Sequence, residues 1–311
     1  MNWLANIRTT SAITALLSAC TLWSGSTPSI ARHVTVLNRS VAPDAVSQPE
    51  PQPLGHAYLV RGILGLLFSR GMNGLAEHLQ QDGVTADVYD FTSCDTVAET
   101  ALKDYYEAPA PIALIGHSMG GRCVLQVASK LRDAHIPVSL LVTVDPVHAS
   151  PGVPANVERY INIFLSDSLL GGGDVRSEQG YPGHYASFDL ATHADVSHIT
   201  IDKLAIIHDQ LIAKIVRLSV TPSKAEGEAA PLHYVVPPDT PIELWDSGIP
   251  VFVRPGDTLR TITETHRVPL WSITQINPGI SDQNLVPGER IIVPRHLLPT
   301  NAIPRPPQSR R

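Results

Sequence analysis

Pro111-Ile112-Ala113-Leu114-Ile115-Gly116-His117-Ser118-Met119-Gly120-Gly121 is the stretch that decides the reading of this 311-residue chain. Residues 112–115 are a continuous apolar run between Pro111 and Gly116, the pattern of a strand buried on both faces. Beyond it, Val124, Val127, Ala128 and Leu131 recur at i, i+3, i+4 and i+7, which predicts an amphipathic helix over 118–134. Between strand and helix lies Gly116-x-Ser118-x-Gly120. A serine on so tight a turn adopts strained dihedrals, and bulky neighbours at either glycine would strike the strand or the helix. The turn exposes the hydroxyl beside the positive end of the helix, a placement that suits a nucleophile. A purely structural strand–helix turn is the alternative.

Outward from this point the chain alternates strand and helix. Strands are expected at 56–62, 84–91, 137–144, 158–164 and 185–190, and helices at 71–83, 95–106 and 199–218. Such alternation predicts an α/β fold with a parallel sheet covered by helices on both faces.

On the Gly116-His117-Ser118-Met119-Gly120 turn and this alternation, residues 55–218 resemble the α/β-hydrolase family. The resemblance implies a mostly parallel sheet flanked by helices and a Ser–acid–His triad in chain order. It also implies an oxyanion hole made from two backbone N–H groups. Ser118 would be the nucleophile and Met119 one oxyanion donor. The second donor would be Ile63, although this chain has Arg61-Gly62 where many members have His-Gly. The histidine is expected to be His198, just ahead of the closing helix, with His193 as a competitor and His184 and His148 as weaker ones. His208 shares a helix face with Leu204, Leu211 and Ile215 and reads as a core residue. For the acid, Asp145 in Thr143-Val144-Asp145-Pro146 resembles the strand-end Asp-Pro of pancreatic-type lipases. Asp167, one strand later, is the alternative, and an Asp-Pro pair can also simply end a strand. The sequence has neither HExxH nor CxxC spacing, so neither metal nor other cofactor is expected.

A Pro-rich stretch, 219–248, reads as a flexible linker. After it come Pro255-Gly256-Asp257-Thr258-Leu259, then Asn277-Pro278, then Leu285-Val286-Pro287-Gly288-Glu289-Arg290-Ile291-Ile292-Val293-Pro294. These three signatures, in order, resemble a LysM domain over 249–296, a small βααβ unit. The resemblance implies binding of peptidoglycan or another N-acetylglucosamine glycan between two loops. One loop holds Gly256, Asp257, Thr258 and Leu259, the other Asn277, Pro278, Gly279 and Ile280. Trp271 is expected in the small core of this unit. Tyr234-Val235-Val236-Pro237-Pro238-Asp239-Thr240 faintly echoes the module's start, as a decayed repeat or a coincidence. Residues 297–311 form a basic tail.

At the other end, Arg8 and the apolar run 11–19 read as a signal peptide over 1–19, too short to span a bilayer. Leu17-Ser18-Ala19-Cys20 resembles the lipobox of bacterial lipoproteins, which implies lipidation of Cys20 and a membrane anchor. Thr21 after it resembles outer-membrane sorting. Residues 20–54 read as a Pro-containing spacer. Cys94 and Cys123 could pair in an oxidising compartment; the sequence leaves that open.

With 43% hydrophobic and 17% charged residues, the chain is neither disordered overall nor membrane-integral. A net charge of −6 argues against a nucleic-acid binder that neutralises phosphates. Two readings follow. One is a serine hydrolase of the cell envelope, lipid-anchored at the periplasmic face of the outer membrane and held to the wall by its LysM domain, which flexible tethers leave independent of catalysis. The other is a non-catalytic wall tether whose hydrolase-like domain serves as a scaffold.

Overall fold

The structure, a computed structural model, describes residues 54–63, 69–221, 223 and 228–298. The expected signal peptide, Cys20, nearly all of the spacer and the tail from 299 onward lie outside these residues. Among the described residues no helix is long and apolar enough to cross a membrane.

Seven strands form one sheet: β1 (His56–Arg61), β2 (Thr85–Asp90), β3 (Ile112–His117), β4 (Leu140–Val144), β5 (Arg159–Phe164), β6 (His184–Asp189) and β7 (Leu232–Val235). Their order is β2-β1-β3-β4-β5-β6-β7, and every pairing is parallel. Four helices cover it: α1 (Arg70–Gln81), α2 (Cys94–Glu107), α3 (Met119–Asp133) and α4 (Ala205–Ile215). The period-2 geometry of a strand divides the core in two. Ala57 and Leu59 of β1 and Ala113 and Ile115 of β3 enter one layer, against Met72, Leu75 and Leu79 of α1 and Ile207 and Leu211 of α4. Tyr58, Val60, Ile112 and Leu114 enter the other, against Val97 and Ala101 of α2 and Val124, Val127 and Leu131 of α3. Both faces are therefore apolar, which is why these strands read as continuous hydrophobic runs. Leu114 is wholly buried, and cutting it to Ala costs about 2–5 kcal/mol. Cys94 and Cys123 form a disulfide that ties the start of α2 to α3.

Of the stretch expected as a linker, 219–248, residues 228–248 are instead built into the fold. Residues 232–235 are β7, hydrogen-bonded to β6, and Leu232, Tyr234, Val236 and Trp245 join the first core layer. The apparent echo of the LysM start is thus the last strand of the large sheet. Its prolines follow the strand rather than interrupt it, so the ladder loses no donor.

The C-terminal module pairs β8 (Trp245–Phe252) with β9 (Arg290–His296), antiparallel, and carries α5 (Leu259–His266) and α6 (Leu270–Ile276) between them. Val253, Leu259, Ile262, Val268, Ile273, Ile291 and Val293 fill its own small core. Trp271 departs from expectation. It packs outward on the large domain, its ring centroid 5.4 Å from Tyr234 and 5.5 Å from Trp245.

The seam is closed in two further ways. The Gln275 side chain donates to Val235 O (2.8 Å) and accepts from Val235 N (3.1 Å), so it pairs with the outer edge of β7 as a strand would. Beneath it Asp246, 1% exposed, receives Arg295 Nε of β9 at 2.7 Å and lies 3.5 Å from Arg159 Nε and 3.8 Å from Lys214 Nζ. Charges so buried persist only when paired, and these pairs bridge the two modules. The expectation of a freely tethered module is corrected accordingly: apolar and ionic contacts hold it against the sheet.

Candidate active site

Ser118, Asp145 and His198 meet at the C-terminal ends of the strands. Ser118 follows β3 directly, with φ 58° and ψ −123°. That strained conformation is held by close packing. A Cβ on Gly116 would sit 2.2 Å from Gly120 O, and one on Gly120 would sit 2.1 Å from Val60 O. Neither position admits a side chain, so strand, turn and helix press against each other and fix the serine between them. Ser118 N–H donates to Val144 O at 3.0 Å, tying the turn to the end of β4.

Asp145 is the residue after β4 and has φ 42°, with no side-chain exposure. Its Oδ1 accepts N–H bonds from Leu165 (3.1 Å) and Gly172 (2.8 Å), and its Oδ2 lies 2.6 Å from His198 Nδ1. Burial pushes the carboxyl pKa up, but the His198 bond and the two backbone donors outweigh it and hold the pKa below the usual value. The group is an anion at neutral pH. His198 Nε2 is 3.1 Å from Ser118 Oγ. An anionic Oδ2 accepts the Nδ1 proton, which leaves Nε2 as the lone-pair nitrogen facing the serine hydroxyl.

The competing residues lie elsewhere. Asp167 is exposed on the loop after β5 and has no bond to His198 among the described residues. His184 is buried at the seam, near Ser247 and Arg295. His148 is exposed after β4, beside Gly172, and His193 lies on the loop after β6, short of the relay. His208 is 7% exposed and its Nε2 bonds to Asp202 O at 2.7 Å, a core placement. Met119 opens α3, so its N–H has no intrahelical acceptor. Gly62 runs so close to Ser118 that a Cβ there would be 2.7 Å from Ser118 Cβ. Its own N–H is taken by Ser69 Oγ (3.1 Å), and Ile63 follows it with an exposed side chain.

Three neighbours escaped the sequence reading: Ser69, His117 and Asp202. His117 stood in the motif as its variable residue, and its polarity on a fully buried strand was the one available signal. Ser69 and Asp202 had none, being ordinary helix-entry residues in the primary structure.

In the small module the motif residues are employed differently. The Asn277 amide donates to Ile273 O and Ile292 O and accepts from Ile292 N, clamping α6 to β9. Thr258 caps α5 in a reciprocal box with Thr261. Asp257 accepts from Arg254 N, and Leu259 is buried in the small core. Gly256 and Gly279 have φ of 86° and 81° and open space where a Cβ would stand. Pro278 sits between Asn277 and Gly279, and Ile280 packs against the small core. The two loops therefore offer backbone and small residues on their surface.

The LysM domain family matches residues 252–294. No curated protein matches the chain. Among solved structures, the esterase domain of a Rhodothermus marinus protein is similar at 14% identity and TM-score 0.38, over 54% of this chain and 89% of that one. An alpha/beta superfamily hydrolase from Xanthomonas campestris is similar at 17% identity and TM-score 0.32, over 53% and 97%. An acetyl xylan esterase is similar at 13% identity and TM-score 0.31, over 56% and 100%. The architecture itself rests on the strand order and the turn at Ser118. The chain thus joins a seven-stranded parallel α/β domain, with the turn at Ser118, to a C-terminal domain that matches the LysM family over residues 252–294.

Proposed function

We propose that this protein is a serine hydrolase acting on ester or thioester bonds, with Ser118 as nucleophile, His198 as general base and Asp145 as the group that orients it. The observation that carries the reading is the relay Ser118 Oγ–His198 Nε2 at 3.1 Å and His198 Nδ1–Asp145 Oδ2 at 2.6 Å. His198 takes the serine proton as Oγ attacks the carbonyl and returns it to the leaving group. Asp145 holds the imidazole tautomer and stabilises its charged form. Met119 and Ile63 N–H would receive the developing oxyanion, since the Gly62 N–H is already engaged. No metal or cofactor enters this chemistry.

The LysM domain supports binding of peptidoglycan or a related N-acetylglucosamine glycan, through Gly256–Leu259 and Asn277–Ile280. With lipidation at Cys20, the enzyme would be anchored at the periplasmic face of the outer membrane and held to the wall.

The test is labelling by a fluorophosphonate probe, followed by a panel of esters and thioesters. Covalent modification at Ser118 is the expected result. A folded wild-type protein that takes up no probe and turns over no ester would leave the scaffold reading in its place.

A further inference from the structure

Behind the triad runs a second buried relay. Gly62 N–H, at the end of β1, donates to Ser69 Oγ at 3.1 Å. Ser69 Oγ lies 2.7 Å from His117 Nδ1, and His117 Nε2 lies 2.9 Å from the backbone O of His198. A carbonyl only accepts, so Nε2 carries the proton. In a neutral ring Nδ1 must then accept, and the Ser69 hydroxyl donates to it. The remaining lone pairs of Ser69 meet the Gly62 N–H, so each group has one consistent role. Ser69 and His117 are both 1% exposed. Burial, and then the neighbouring His198, lower the His117 pKa to about 4; Lys203 adds to this, while the His198 carbonyl and Asp145 oppose it. The ring is neutral at neutral pH, as the hydrogen bonds require.

The relay connects three parts of the proposed machinery that the chain keeps far apart: the strand end before Ile63, the turn that carries Ser118, and the loop that carries His198. From His193 to Ile201 the other main-chain bonds of that last loop are local, such as Val196 N to His193 O and Ile201 N to Ser197 O. The His117 bond reaches outside it, to the turn at Ser118. We infer that His117 and Ser69 are positioning residues, which hold the oxyanion strand end and the His198 loop in register with the nucleophile. This rests on the serine-hydrolase reading above.

The test separates reach from packing. In His117→Gln the amide extends to the place of Nε2 and keeps a donor for the His198 carbonyl. In His117→Asn it extends only to the place of Nδ1 and can serve Ser69 alone. His117→Gln is expected to stay within several-fold of wild-type kcat. His117→Asn and His117→Ala should lose on the order of 10²-fold in kcat, with KM little changed and probe labelling slowed in parallel. Gln and Asn variants of equal kcat, a loss confined to KM, or full activity in His117→Ala overturns the assignment. A second readout needs no turnover. In protein with 15N-labelled histidine, His117 should hold its single proton on Nε2 from about pH 5.5 to about pH 8. A ring that titrates in that range, or carries its proton on Nδ1, overturns the relay even in an active enzyme. The expected tautomer in a protein that no probe labels overturns the serine-hydrolase reading instead, and the positioning role with it.

Discussion

The turn at Ser118 and the loops of the LysM domain are both rich in motif residues, and they use them in opposite ways. At the turn, side chains from two strand ends and one loop converge on one another, and the glycines let the backbone come close enough for this. In the LysM domain the motif side chains are consumed internally. Asn277 clamps a helix to a strand, Thr258 caps, and Leu259 is core, so the proposed recognition would fall to the backbone around Gly256 and Gly279. On the proposed function, a motif in the first region encodes chemistry, and in the second it encodes shape. Mutations should therefore part along this line: activity without stability in one, stability before binding in the other.

The largest effect is expected at the triad. Ser118→Ala should abolish probe labelling and ester hydrolysis while the melting temperature stays near wild type, because only a hydroxyl is removed. Asp145→Asn should lower kcat by about 10⁴-fold, with Asp167→Asn near wild type. A reversed result for the two aspartates would move the acid to the loop after β5.

Next comes the seam, where the comparison can break. Asp246→Ala removes the shared anion among Arg159, Lys214 and Arg295 and should cost about 3–5 kcal/mol in chemical denaturation. Large domain and LysM domain should melt together in the wild type. Two separate transitions in calorimetry would return the module to the status of a tethered appendage.

A smaller loss is expected within the module. Asn277→Ala leaves the Ile292 N–H and carbonyl without their side-chain partner, while Ile273 O keeps the backbone N–H of residue 277, and should cost about 1–3 kcal/mol. Thr258→Ala removes a cap and should cost about 1 kcal/mol. Peptidoglycan pull-down should weaken in step with these losses. Weakened binding at unchanged stability would make the side chains ligands after all.

The smallest effect is a pH dependence. Asp202 is buried at the start of α1, where its Oδ2 accepts the Gly71 N–H at 2.9 Å. Burial raises its pKa from 3.8 to about 6, although Lys203, the Gly71 amide and His198 pull the other way. A carboxyl with a raised native pKa binds its proton more tightly folded than unfolded. Its contribution is full below 3.8 and is lost as pH rises through about 6. Asp202→Asn should therefore lift the melting temperature by roughly 2–4 °C more at about pH 7.5 than at about pH 4.5. An equal shift at both values would mean that the carboxyl carries no such penalty.

What could be read from the primary structure followed from periodicity and from local steric need. Strands buried on both faces, such as 112–115, announce themselves as apolar runs. The turn at Ser118 carries its own glycines, and the LysM signatures are short-range turns and caps. β7 was hidden because Leu232–Val235 is four residues beside prolines, and only its pairing with β6 makes it a strand. The seam was hidden for a similar reason. Trp271 fits a small core as well as it fits a junction, and nothing near Asp246 in sequence names Arg159 or Lys214 as its companions. Ser69 and His117 are 48 residues apart, so their bond exists only once β1 and β3 lie side by side.

The Gln275 side chain has a consequence beyond joining two modules. The outer edge of β7 is a row of backbone donors and acceptors, and an unprotected edge invites another chain to add a strand. Gln275 occupies that row at Val235, and β8 comes against it at Ala230. A chain cut after β7 would expose the edge, together with the apolar surface of Tyr234. Such a fragment is expected to polymerise through its sheet. On this view the small domain, besides any sugar it holds, is a cover over the open edge of the large sheet.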